Sequence, residues 1–360
     1  MRTICLRVFS LMLLALWMSG CTIIDEIGQQ AATQPNNRPL PTHPLYVLTM
    51  SVGKVGINQL VIVDPITWQV TQQVPLLSEA PDNLSRDPQG RIWMGYSEDQ
   101  RVQVFAPDGR LLKTLTACLD PYLIIHFAAG RAFISCFQSG FYAAVVVVDL
   151  QSLEIVKQVD IRIDGDIFLL GPSAINKDEF LTLGGSYKVG RAVIIETNTL
   201  KMMQPILITP NSTIDQVLAY QNSFLLLNSY PTGDDNLLIV SPKATPMVSA
   251  RKLAAQGALW GAFDGNMLYI YHNAELRNLG NYPFRAISRL DLTTNNSVLW
   301  PLPDHWNARD IAIVNGEILL AHSIFQKPEE SGLYRFDPVT GKLTMLVNIP
   351  GAHRILPPAP

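Results

Sequence analysis

The feature that most constrains this chain is a repeat. One short, mostly apolar run recurs seven times: Leu45-Tyr46-Val47-Leu48, Ile92-Trp93-Met94-Gly95, Ala132-Phe133-Ile134-Ser135, Phe180-Leu181-Thr182-Leu183, Phe224-Leu225-Leu226-Leu227, Leu268-Tyr269-Ile270-Tyr271 and Ile318-Leu319-Leu320-Ala321. The residues that follow these runs are Thr49, Tyr96, Cys136, Gly184, Asn228, His272 and His322, at intervals of 47, 40, 48, 44, 44 and 50. A second marker, chemically unrelated to the first, gives the same count. An apolar stretch ends in an acid and a tight turn at Asp64-Pro65-Ile66-Thr67, Asp149-Leu150-Gln151-Ser152, Asp291-Leu292-Thr293-Thr294 and Asp337-Pro338-Val339-Thr340. Degenerate copies stand at Ala106-Pro107-Asp108-Gly109, Glu196-Thr197-Asn198-Thr199 and Ser241-Pro242-Lys243-Ala244. Short runs rich in Val, Ile, Leu, Tyr and Phe fill the intervals, and no long amphipathic helix interrupts them.

Two seven-rung ladders with a period of about 45 residues and roughly four strands per unit predict an all-β fold, a seven-bladed β-propeller of four-stranded antiparallel blades. One such sheet cannot bury both of its faces, so the blades must stack around a ring. Runs such as Ala143-Ala144-Val145-Val146-Val147-Val148 fit a strand covered on both sides. Units two to seven each begin with a strand ahead of the marker run, as in Asp310-Ile311-Ala312-Ile313, whereas unit one starts directly at Leu45. Its missing inner strand is expected from His353-Arg354-Ile355-Leu356, which would close the ring and remove two open edges. The repeat resembles the YVTN-type β-propeller family, with an NHL-like trace at Phe105-Ala106-Pro107-Asp108-Gly109-Arg110-Leu111-Leu112. That resemblance extends over residues 44–360 and implies an architecture rather than an activity.

The N-terminus reads as an address. Arg2 and Arg7 give a short positive segment ahead of an apolar run, Val8 to Trp17, which is too short to span a bilayer and is followed by Met18-Ser19-Gly20-Cys21. This stretch resembles the bacterial lipoprotein lipobox, with Met18 in the usual leucine position. The resemblance implies removal of residues 1–20 as a signal peptide and lipidation of Cys21. Residues 21–43, polar and proline-rich, then form a tether, and 44–360 form the propeller. The expected location is outside the cytoplasmic membrane, at the cell surface or, in a two-membrane bacterium, at the outer membrane because Thr22 rather than Asp follows the cysteine. Lys and Arg total 27 against 30 acids, so nucleic acid is not an expected partner. The expected partners are the membrane, through the lipid, and a protein or extracellular ligand; the domain itself is expected to be a monomer.

In a four-stranded meander the connections after the second and fourth strands share one face. Tyr96, Asn228, His272 and His322 end second strands there, Arg277 lies in the connection after His272, and His305 should reach the same side. These six residues form a candidate ligand rim. Zinc needs three or four converging ligands, and no His-x-His or His-Glu-x-x-His spacing supplies a ready pair, so no metal is expected. A Gly-x-Ser-x-Gly elbow, a dinucleotide fingerprint and a phosphate loop are all absent, and no cofactor is expected. The recurring turn acids fit side-chain-capped turns better than catalysis. Cys118 and Cys136 remain as a candidate disulfide once Cys5 leaves with the signal and Cys21 is lipidated. The leading reading is a non-enzymatic binding module acting through its loop-rich face. The alternative is an extracytoplasmic hydrolase or lyase at the channel mouth, using His272, His322 and nearby acids.

Overall fold

A computed structural model describes residues 40–50, 58–76, 81, 83–96, 100–117, 120–138, 142–161, 169–186, 189–208, 213–229, 237–274, 285–324 and 327–359. Residues 1–39, on which the expected signal peptide, Cys21 and most of the expected tether fall, lie outside the described residues, as do Arg277 and Cys118. Seven sheets of four antiparallel strands form a ring. Blade 1 runs, inner to outer, through Ala352–Leu356, Leu45–Thr49, Gln59–Val63 and Val70–Pro75. Blade 2 comprises Asn83–Arg86, Ile92–Tyr96, Arg101–Phe105 and Leu111–Leu115, and blade 3 Asp120–Ala128, Arg131–Gln138, Tyr142–Asp149 and Ile155–Ile161. Blade 4 comprises Leu169–Asn176, Glu179–Ser186, Val189–Glu196 and Ile206–Leu207, and blade 5 Ile214–Tyr220, Ser223–Asn228, Leu237–Val240 and Val248–Arg251. Blade 6 comprises Ala258–Asp264, Met267–Asn273, Arg285–Asp291 and Ser297–Pro301, and blade 7 Ala308–Val314, Glu317–His322, Gly332–Phe336 and Leu343–Asn348.

The ring closes as the strand count predicts. Tyr46, Val47 and Leu48 pair with Leu356, Ile355 and Arg354, so one sheet joins the two ends of the chain. Apolar clusters lie between neighbouring blades. Leu45, Val47 and Val63 of blade 1 meet Val314, Leu319 and Leu333 of blade 7, and Phe133, Val145 and Val147 of blade 3 meet Phe180 and Val193 of blade 4. Second and third strands are therefore covered on both faces, and Ala143 to Val148 are all buried. A polar clamp joins blades 2 and 3. The Asp87 carboxylate accepts Trp93 Nε1–H at 2.9 Å and pairs with Arg91 Nε at 2.5 Å, while the Arg91 guanidinium donates to Leu150 O at 2.7 Å.

The repeated acids are turn caps. Asp64, Asp149, Asp291 and Asp337 each accept the backbone N–H two residues on, at 2.8–3.0 Å, and Ser or Thr three residues on donates its hydroxyl to the same carboxylate. These hydrogen bonds favour the ionised form and hold the carboxyls below their ordinary range. The chain then turns back through a left-handed residue, Trp68, Leu153, Leu200, Asn295 or Gly341, whose N–H returns to the carbonyl of the acid four positions earlier.

Candidate functional site

The mouth of the central channel is shaped by β-bulges. At the end where the second strands finish, the pairing of the first strand slips by at least one residue in blades 1, 3, 4, 5, 6 and 7. The residues skipped by the strand register include His353 in blade 1, Asp215 in blade 5, Leu259 in blade 6 and Arg309 in blade 7. A bulge bends its strand and re-aims side chains. Of the skipped residues, Asp215 lines the channel cavity.

Beside the bulges, side chains latch neighbouring inner strands. Gln216 Oε1 of blade 5 accepts Gly261 N–H of blade 6 at 2.6 Å. Asp310 Oδ2, at the equivalent position of blade 7, accepts Ile355 N–H of blade 1 at 2.8 Å, and its Oδ1 accepts Ile311 N–H at 2.9 Å. His126 Nε2 meets Ser173 Oγ at 3.1 Å between blades 3 and 4. Arg354 reaches back from blade 1, donating to Arg309 O at 3.0 Å, and its guanidinium lies 4.1 Å from the Trp260 ring centroid. A cavity of about 440 Å³ runs along the channel among Asn83, Asp215, Gln216, Trp260, Asp310 and Arg354. Asp310 opens partly to this cavity yet lies deep within the ring, and burial pushes its carboxyl above the ordinary range against the opposing pull of Arg354. Burial, reinforced by the cations of Arg354 and Arg309, lowers His353 to about 3. Cation, carboxylates, amide and indole in one cavity can hold a small polar molecule through paired charges and ring stacking.

Five of the six expected rim residues, all but Arg277, fall within the described residues. Tyr96, Asn228, His272 and His322 are all buried, because the end of a second strand is still enclosed by the adjoining blades. Tyr96 packs in the cluster between blades 1 and 2, with the Arg101 guanidinium 5.0 Å from its ring centre. His272 donates from Nδ1 to Gln256 O at 3.1 Å and accepts from Ser288 Oγ at Nε2 at 2.7 Å. Burial lowers its pKa to about 4, and with both nitrogens engaged it is a strut rather than a base. His272 is enclosed in blade 6 and is not among the residues lining the cleft at His322. His322 accepts Asn307 N–H at Nδ1 at 3.2 Å, lies 3.9 Å from the Trp306 ring centre, and is lowered to about 4 mainly by burial. It lines a cleft of about 400 Å³ between blades 6 and 7 with Trp306, Glu330, Tyr334 and the exposed His305. Among the described residues, no group of three or more His, Cys, Asp or Glu side chains is placed to hold a metal ion. Cys136 is buried and disulfide-bonded, while its expected partner Cys118 lies outside the described residues.

No family model matches the sequence, and no curated protein does so either. Solved structures do resemble it. A protein from Lactobacillus plantarum superposes with a TM-score of 0.60 at 12% identity, covering 87% of this chain and 98% of the other. A candidate 6-phosphogluconolactonase from Bacteroides fragilis gives 0.59 at 15% identity over 87% and 97% of the two chains. Kuenenia stuttgartiensis hydrazine synthase gives 0.57 at 15% identity over 87% and 96%. The shared property is the fold. This chain is a seven-bladed β-propeller.

Proposed function

We propose that this propeller is a lipid-anchored extracytoplasmic binding module of the YVTN type, and that it takes a small polar ligand into the mouth of its central channel. The observation that carries the ligand reading is the 440 Å³ cavity lined by Arg354, whose guanidinium lies over Trp260, and by Asp215 and Asp310. An address sequence ending in Met18-Ser19-Gly20-Cys21 supports the anchor. The test is calorimetric titration of the full-length protein in detergent with small carboxylates, sugars, sugar phosphates and amino acids. A compound that binds with Kd below about 1 mM, and is lost in Arg354→Ala and Trp260→Ala, supports the reading. Binding that ignores both substitutions, or a panel without a binder, refutes it.

One observation favours a hydrolytic use of the same cavity. Asp215 and Asp310 both line it, and burial raises Asp310, the arrangement in which one carboxyl gives a proton and the other takes one. Turnover of a lactone or ester that disappears in Asp215→Asn while the fold persists would select this reading over binding alone.

A further inference from the structure

The two most exposed large apolar side chains among the described residues are Ile66 at 84% and Val339 at 89%. They occupy the same place in their blades, two positions after the acid of the capped turn between third and fourth strands. The equivalent turn position holds Asp108 in blade 2, Gln151 in blade 3, Asn198 in blade 4, Lys243 in blade 5 and Thr293 in blade 6. Only blades 7 and 1 carry an aliphatic tip, and these blades are neighbours whose apolar faces pack together.

Those blades also flank the point where the tether meets the ring. Leu45, the first strand residue after it, pairs with Val63, which immediately precedes the Asp64 turn. In blade 7, Ile318 pairs with Phe336, which immediately precedes the Asp337 turn. Leu40 packs against the cluster between blades 1 and 2, and Pro44 O accepts from Arg86, whose strand ends at the same side. The segment leading back to Cys21 therefore enters at the face bearing Ile66 and Val339, opposite the channel mouth.

We infer that Ile66 and Val339 form a membrane-facing foot: the two tips rest in the interfacial layer of the bilayer that holds Cys21, and the channel mouth points away from it. This rests on the anchored reading above. A lipid surface is the fitting occupant because the tether holds this edge near the bilayer. Two isolated aliphatic tips beside polar turn residues suit shallow insertion rather than an extended apolar interface.

The test uses the lipidated full-length protein in phosphatidylethanolamine–phosphatidylglycerol vesicles, with an environment-sensitive fluorophore on Ile66→Cys, Val339→Cys or Gln151→Cys in turn. Labels at 66 and 339 should shift to the blue and be quenched by doxyl-labelled acyl chains, and the label at 151, on a turn away from the tether, should do neither. Equal quenching at all three sites, or none, on a protein whose Cys21 carries acyl chains overturns the foot and leaves the anchor standing. Shielding at 66 and 339 without quenching by lipid shows a protein or a second copy covering them, and also overturns it. Mass spectrometry finding no acyl group on Cys21 refutes the anchor and the foot together.

Discussion

Replacing Asp310 with alanine strikes the seam where blade 7 meets the closing strand. The substitution orphans the N–H groups of Ile355 and Ile311 and leaves the Arg354 cation without its nearby carboxylate. A hydrogen bond to a charged group contributes about 1.5–3 kcal/mol, and water in the channel recovers part of the loss, so about 2–5 kcal/mol is expected in all. Unfolding entropy near 2.1 cal/mol/K per residue over roughly 320 residues of ring gives about 0.7 kcal/mol/K, so Tm should fall by about 3–7 °C. Asp310→Asn keeps one acceptor oxygen and should lose about half as much. The pH dependence has a definite sign. The folded carboxyl titrates above its unfolded value of 3.8, so its protonation-linked stabilisation is complete below pH 3.8 and is lost as pH rises through the folded pKa, while the hydrogen bonds from Ile355 and Ile311 persist in the ionised form. Differential scanning calorimetry of wild type, Asp310→Ala and Asp310→Asn at several pH values checks this. A Tm change below about 1 °C for the alanine variant would refute the latch.

Three further outcomes are expected. Asp87→Ala should cost about 3–5 kcal/mol in denaturant unfolding, because it strands Arg91 and the buried Trp93 indole N–H. His322, lowered to about 4, contributes stability that is present above pH 6.5 and is lost as pH falls toward 4. His322→Phe keeps a ring against Trp306, so the stability lost between pH 7 and 4.5 should shrink by about 2–3 kcal/mol, read from urea midpoints at the two values. Non-reducing peptide mapping should join Cys136 to Cys118, and Cys118→Ser should cost about 3 kcal/mol for a loop of this size; a different partner for Cys136 would refute the pairing.

The ring was legible because it is periodic. Strand runs and turn acids mark each blade twice, and the absence of a strand before Leu45 already pointed to His353-Arg354-Ile355-Leu356, which lies within the observed strand Ala352–Leu356. The turn acids were legible too, since their spacing to Ser or Thr is the geometry of the cap. The mouth was not. A polar residue after an apolar run looks solvent-facing, but the flanking blades enclose the ends of the second strands and hide Asn228 and His272. A bulge leaves no periodic trace either. Asp215, Arg309 and His353 read as ordinary strand residues until the strand pairing shows the register slipping past them, and Asp215 then lines the channel cavity. The contact of Arg354 with Trp260 joins two distant blades, and no local pattern announces it.

The joint between Ala352–Leu356 and Leu45–Thr49 also sets an order of events. During synthesis the first sheet stays one strand short until the last residues of the ring have been made. No shorter piece of the chain can seal blade 1 or complete the channel wall that Arg354 supplies. Assembly of this ring therefore ends where it began, and trimming its final strand should undo the whole circle rather than one seventh of it.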